Sequence, residues 1–222
     1  MSTAMKNPSL PPRAGVFLAP ERSSIPREQP KATTASPIVF SWNDFLCPVA
    51  WILHHRPATA AELDATARLD RRIVDLLVFA RSLGPVYVIC DSSAASIEDL
   101  CAAWFPLCAR LFSTRATQQH IRLVCAAGPI SSTWHGQILD CIIRGHRKGA
   151  SITIFGHKSL RDGCIAVADH YAIDLLPRFK MIQANSASRP TAEDVLRRLE
   201  VVRENIALVA DFHSPIDSTL SL

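Results

Sequence analysis

From Pro37 onward, short apolar runs alternate with longer stretches of helical periodicity. The runs Ile38–Ser41, Val86–Cys90, Ile121–Cys125 and Ser151–Phe155 are nearly continuous in apolar or β-branched residues, and Arg178–Gln183 forms a more mixed fifth. Strands covered on both faces read in this way. Between them lie helical stretches near Ala60–Leu83, Ser96–Phe112, Ser132–Lys148 and Ser159–His170, with a last one from about Thr191 to Val209. In the first, Leu63, Ala67, Val74, Leu77 and Val78 recur at helical spacing, Glu62, Asp64, Arg68, Arg71 and Arg72 fall largely off that stripe, and Gly84–Pro85 marks the stop. In the last, Glu193 and Asp194 occupy the first turn, and Val195, Leu199, Val202 and Ile206 form the apolar stripe. Five successive β-α units predict an α/β domain: a three-layer α/β/α Rossmann-like fold with a central parallel sheet of about five strands. Residues 1–36 break this pattern, because six prolines scattered among Ser, Arg and Lys leave nothing to bury. A tail over 1–36 and one domain over 37–222 are expected.

Composition narrows the function classes. The 222 residues are 48% hydrophobic and 20% charged, a globular balance, and no apolar run approaches the ~18 residues that span a bilayer. A net charge of +4 with scattered Lys and Arg argues against nucleic-acid binding. The densest basic cluster, Arg144, His146, Arg147 and Lys148, precedes an apolar strand, where a basic helix end complements the dipole. Seven cysteines, an odd number without a Cys-x-x-Cys pair, sit mostly in apolar segments and read as reduced core residues; Cys101 and Cys108, seven apart, fall on one helical face. With no apolar signal segment at the N-terminus, a cytoplasmic or nuclear location is expected.

In parallel sheets of this kind ligands meet the carboxyl ends of the strands. Those ends are followed here by Ser41-Trp42-Asn43-Asp44, Asp91-Ser92-Ser93, Ala126-Ala127-Gly128 and Gly156-His157-Lys158. At these points the chain resembles the haloacid dehalogenase-like (HAD-like) hydrolases of the capless type. In that family the first strand ends in Asp-x-Asp-x-Thr, the second in Ser or Thr, and the fourth in Gly-Asp, with a Lys ahead of the fourth. Ser41-Trp42-Asn43-Asp44-Phe45-Leu46-Cys47-Pro48 is similar to a first motif reading Asp-Trp-Asp-Asp-Thr-Leu and soon Pro, Trp134-His135 to a Trp-Lys pair, and Arg189-Pro190-Thr191 to a late Arg-Pro-Thr. The likeness runs from about Pro37 to Leu222.

The resemblance implies a nucleophilic Asp, a second Asp as acid/base, a hydroxyl and a Lys for phosphate, and a further Asp completing a Mg²⁺ site. These positions fall on Ser41, Asn43, Cys90, His135 and His157, and each carries a different residue type. Hydroxyl, amide and imidazole supply too little negative charge to hold Mg²⁺ against its water shell, so neither metal, cofactor nor phosphatase activity is expected. Asp44, Asp91 and Asp162 survive nearby, Asp44 beyond the strand end and Asp162 four residues after Lys158.

Several functions stay open on these residues. One is a catalytically inactive pseudoenzyme that serves as a binding or scaffold module for a protein partner. Another is a metal-independent phosphate or anion binder, with Ser41, Asn43, Asp91, Ser92, His135, His157 and Lys158 around the former site. A third is a residual hydrolase in which His135 or His157 activates Ser41. A transition-metal site would have to use His54-His55 and cysteines that match no zinc spacing. Pro8-Ser9-Leu10-Pro11-Pro12-Arg13 has the composition of a polyproline ligand.

Overall fold

A computed structural model describes residues 35–55, 59–114, 120–146, 150–170, 178–185 and 189–220. The expected N-terminal tail, with its proline-rich segment, lies outside the described residues except for its last two. Strands β1 (Ile38–Ser41), β2 (Val86–Cys90), β3 (Ile121–Cys125), β4 (Ser151–Gly156), β5 (Arg178–Ala184) and β6 (Ile216–Leu220) form one parallel sheet in the order β3-β2-β1-β4-β5-β6. Helices α1 (Val49–His55), α2 (Ala60–Leu83), α3 (Ala94–Trp104), α4 (Pro106–Ser113), α5 (Trp134–Arg144), α6 (Lys158–Ala168) and α7 (Ala192–Asp211) cover its two faces. The architecture is the three-layer Rossmann-like one, with one strand more than the expected five.

Alternation along the strands sorts the core. Ile38, Phe40, Val86 and Val88 point to the side of α2, α3, α4 and α7. Val39, Tyr87, Ile89, Ile152, Ile154 and Met181 point to the side of α5 and α6. Both sets are buried, which is why the sequence of each inner strand shows no polar face. On the second face, α5 and α6 meet at Gly136 and Gly163, where a Cβ added to Gly163 would lie 3.0 Å from the Gly136 nitrogen and 3.1 Å from the His135 Cβ. That close approach sets the height of His135 over the sheet.

Besides helix α1, which the sequence reading did not expect, three details differ from the sequence expectation. The buried stripe of α2 is Ala65, Leu69, Ile73, Leu76 and Ala80 with Leu77, whereas Leu63 and Val78 of the expected stripe are about half exposed. Two apolar rows run along this helix, and the sheet and α7 select the one that the spacing alone did not. The expected helix over Ser96–Phe112 is two helices, because Phe105, which precedes a proline and so is disfavoured in the helical region, leaves it at φ −133°, ψ 63°, and α4 restarts at Pro106. Strand β6, Ile-Asp-Ser-Thr-Leu, pairs only with β5 at the sheet edge, so it lacks the apolar run of an inner strand.

Helix starts are stitched by reciprocal caps: Thr59 with Glu62 on α2, and Thr191 with Asp194 on α7. Hydrogen bonds from Thr191, aided by Arg197, hold the Asp194 carboxyl below its ordinary value of 3.8. A depressed carboxyl contributes stability that is complete above the ordinary value and is lost as pH falls through the lowered one. Asp194→Ala is therefore expected to cost about 1 kcal/mol at neutral pH and less at acid pH, where the parent carboxyl is also protonated. Urea titrations at neutral pH and below the carboxylate range check this, and an equal cost at both would refute it. At the other end of α7, Lys180, buried beneath the sheet edge, donates its Nζ to the Ala210 carbonyl, and burial lowers its pKa.

Candidate functional site at the carboxyl end of the sheet

Strand β1 lies between β2 and β4, and from it the chain order runs outward in both directions. The crevice of such a sheet opens where the order reverses, beyond the carboxyl ends of β1 and β4. Ser41 ends β1 and Gly156 ends β4. A Cβ on Gly156 would lie 3.3 Å from the Ser41 Cβ and 2.6 Å from Leu160 Cδ1, so glycine lets the two strand ends and α6 close together.

After Ser41 the chain turns sharply. The amides of Leu46 and Cys47 donate back to the carbonyls of Ser41 and Trp42 at 3.2 and 2.9 Å, and Asp44 takes the left-handed region at φ 53°. Aspartate tolerates that conformation better than most residues. Arg198 of α7 holds the turn from below: its buried guanidinium donates from Nη1 to the carbonyls of Asp44 and Phe45 at 2.6 and 3.3 Å and stacks over the Phe45 ring. Burial lowers the Arg198 pKa.

The turn aims Asn43 across the strand ends. Its Oδ1 accepts the Asp91 amide at 3.0 Å and faces the Cys90 thiol at 3.2 Å. Its carbonyl accepts the Ser41 hydroxyl at 3.3 Å and the His157 Nε2–H. From the first turn of α5, buried His135 places Nε2 3.0 Å from Asp91 Oδ1, with the Trp134 ring edge-on against the imidazole. Ser92 joins through its backbone, its amide directed at Cys90 Sγ at 3.4 Å and its carbonyl accepting Ala126 N–H.

The expected positions Ser41, Asn43, Cys90, Asp91, Ser92, His135 and His157 are therefore brought to one end of the sheet. Lys158 is not drawn in: its exposed Nζ pairs with Asp162 at 2.6 Å on the outside of α6. Three acids near the strand ends point to three separate partners, Asp44 to the Ala50 amide, Asp91 to His135 and Asp162 to Lys158. No pair of carboxylates converges as Mg²⁺ would need. Among the described residues no group of three or more His, Cys, Asp or Glu side chains could hold a metal ion, and His54 and His55 hydrogen-bond instead to the Ala50 carbonyl and Glu62.

Sequence reasoning passed over Arg198 and Cys125. Arg198 keeps phase with Val195 and Val202 on the buried stripe of α7, and an arginine in an apolar stripe is a readable signal of a buried anchoring cation. Cys125 stands beside Cys90 only because β2 and β3 pair in that register, which nothing local encodes. No described helix is long and apolar enough to cross a membrane. Compared with protein-family models, with curated proteins and with solved structures, the chain gives no match in any of the three.

Proposed function

We propose that the chain is a haloacid dehalogenase-like domain without phosphoryl-transfer chemistry, acting as a binding or scaffold module for a protein partner. The observation that supports this reading is the Asn43 node. The side chain at the acid/base position is consumed by the Asp91 amide and the Cys90 thiol, and the one at the last metal-ligand position by the Asn43 carbonyl. Groups that would receive a phosphoryl oxygen and a cation are instead bonded to each other. The Ser41 hydroxyl is directed at a carbonyl and not at an imidazole, so it has no base to activate it.

The expected result is no hydrolysis of p-nitrophenyl phosphate with Mg²⁺ above a buffer blank, and none after Ser41→Asp, because Asn43 and His157 still deny the acid and the metal. Turnover by the unmodified protein that a chelator abolishes would overturn the reading. The same arrangement weighs against an anion site, since His135 and His157 each commit Nε2 and Lys158 faces outward. Phosphate should therefore raise the melting temperature no more than chloride at matched ionic strength, on either side of the ~6.5 at which imidazoles charge. A bound anion at a hundredfold excess over Kd would add ~2.7 kcal/mol. A phosphate-specific shift on the acid side that His157→Ala removes would establish the anion reading.

A further inference from the structure

Strands β2 and β3 bring two cysteines side by side at the carboxyl edge of the sheet. Cys90 and Cys125 are direct partners in the parallel register, each ending its strand. Neighbouring strands lie ~4.8 Å apart, inside the ~4.4–6.8 Å between Cα atoms that a disulfide spans. The two sulfurs differ in setting. Cys90 is buried, packed against Asn43 Oδ1 and the Ser92 amide. Cys125 ends the edge strand and is partly exposed.

We infer that Cys90 and Cys125 form a peroxide-oxidisable dithiol, in which Cys125 is the attacking sulfur, Cys90 the resolving one, and the product a disulfide linking β2 to β3. The inference rests on strand register and thiol placement and is independent of the scaffold reading. The Cys125 thiolate attacks the outer oxygen of a hydroperoxide and breaks the O–O bond, giving Cys125 sulfenic acid and, once the leaving oxygen takes a proton, an alcohol or water. The Cys90 thiol then passes its proton to the sulfenic hydroxyl as its sulfur attacks the Cys125 sulfur, the S–O bond breaks, and water leaves. Two thiols lose two electrons and the peroxide gains them. Only the thiolate is nucleophilic; the neighbouring Cys90 lowers the Cys125 pKa, whereas Cys125 and burial raise that of Cys90, which makes Cys125 the attacking sulfur. Burial instead raises those of Cys47 and Cys108, and raises Cys101 and Cys164 to about 12. Oxidation also removes the thiol proton from Asn43 Oδ1, so the state of the pair is felt in the turn after β1.

The test treats the reduced full chain with hydrogen peroxide, blocks remaining thiols, and maps peptides without reductant after combined cleavage at Lys, Arg and Asp. That digestion isolates Cys90 within Ser82–Cys90 and Cys125 within Leu123–Leu139. The expected result is a linked pair of these two peptides, lost on adding dithiothreitol. Cys90→Ser should leave a sulfenic acid on Cys125 that dimedone traps, and Cys125→Ser should leave Cys90 reduced. Peroxide that modifies exposed Cys141 while the parent's Cys90 and Cys125 stay reduced would overturn the inference, as would a disulfide joining either to another cysteine. The parent peptide map decides this even if a variant fails to fold.

Discussion

Replacing Asp70 by alanine is expected to destabilise the fold by about 2–4 kcal/mol, the sum of two lost hydrogen bonds to a charged group at a helix start. Asp70 sits in the middle of α2 and is 2% exposed. Its carboxylate accepts the amides of Leu107 and Cys108 at 2.8 and 2.9 Å, the second and third residues of α4. The first residue of that helix is Pro106, which has no amide to satisfy, and Phe105 provides no side-chain cap. Asp70 is thus an N-cap supplied from another helix, and the positive end of the α4 dipole helps to neutralise the buried charge. Without it, the Leu107 and Cys108 N–H groups, the latter buried, lose their partner and α2 loses its polar tie to α4. At ~2–4 °C per kcal/mol for a chain of this size, the melting temperature should fall by on the order of 10 °C. Asp70→Asn keeps the shape and one acceptor and should cost about half as much. Equilibrium denaturation of the three proteins measures this, and a loss below ~0.5 kcal/mol for Asp70→Ala, the scale of an ordinary surface change, would show that the cap is not structural.

Arg198→Met should cost about 2 kcal/mol and should act on the turn after β1. Methionine keeps most of the apolar stem and removes a buried charge, which by itself favours folding. The loss comes from the carbonyls of Asp44 and Phe45, left buried without a donor at ~1–3 kcal/mol each before relaxation. Asp44 holds a positive φ that the surroundings must enforce, so this turn is where relaxation would occur. Hydrogen exchange at the Leu46 and Cys47 amides, bonded across that turn, should quicken in Arg198→Met while exchange along β2 tracks the global stability alone. Uniform acceleration across the sheet would mean that Arg198 supports the core and not the turn.

Both effects reach the strand-end cluster through different routes. Asp70 anchors α4, whose neighbour Phe105 packs edge-on against Trp42 at 6.2 Å between ring centres, and Trp42 follows Ser41 directly. Arg198 fixes the backbone two residues further on. The position of Asn43 is therefore set from both sides by charged groups buried outside the cluster itself.

The alternation of apolar runs and helical stretches determined the fold class, because a strand buried on both faces and a helix buried on one leave different periods in any sequence. Strands β1 to β5, the bounds of α2, and the buried stripe of α7 at Val195, Leu199, Val202 and Ile206 follow from those periods alone. The strand-end positions of Ser41, Asn43, Cys90 and His157 were legible for the same reason: a parallel sheet puts every strand's carboxyl end on one side. Their hydrogen-bond partners were not. Which of two apolar rows of α2 faces inward depends on where α7 lies, and an aspartate in the middle of a helix reads as solvated until α4 arrives at its carboxylate. Strand β6 carries too little apolar surface to show a period. The pairing of Cys90 with Cys125, the commitment of Asn43 to Cys90 and Asp91, and the burial of Arg198 under the turn join residues between 35 and 154 positions apart. A local pattern records how each segment divides polar from apolar, and only the packed structure decides which polar atoms meet.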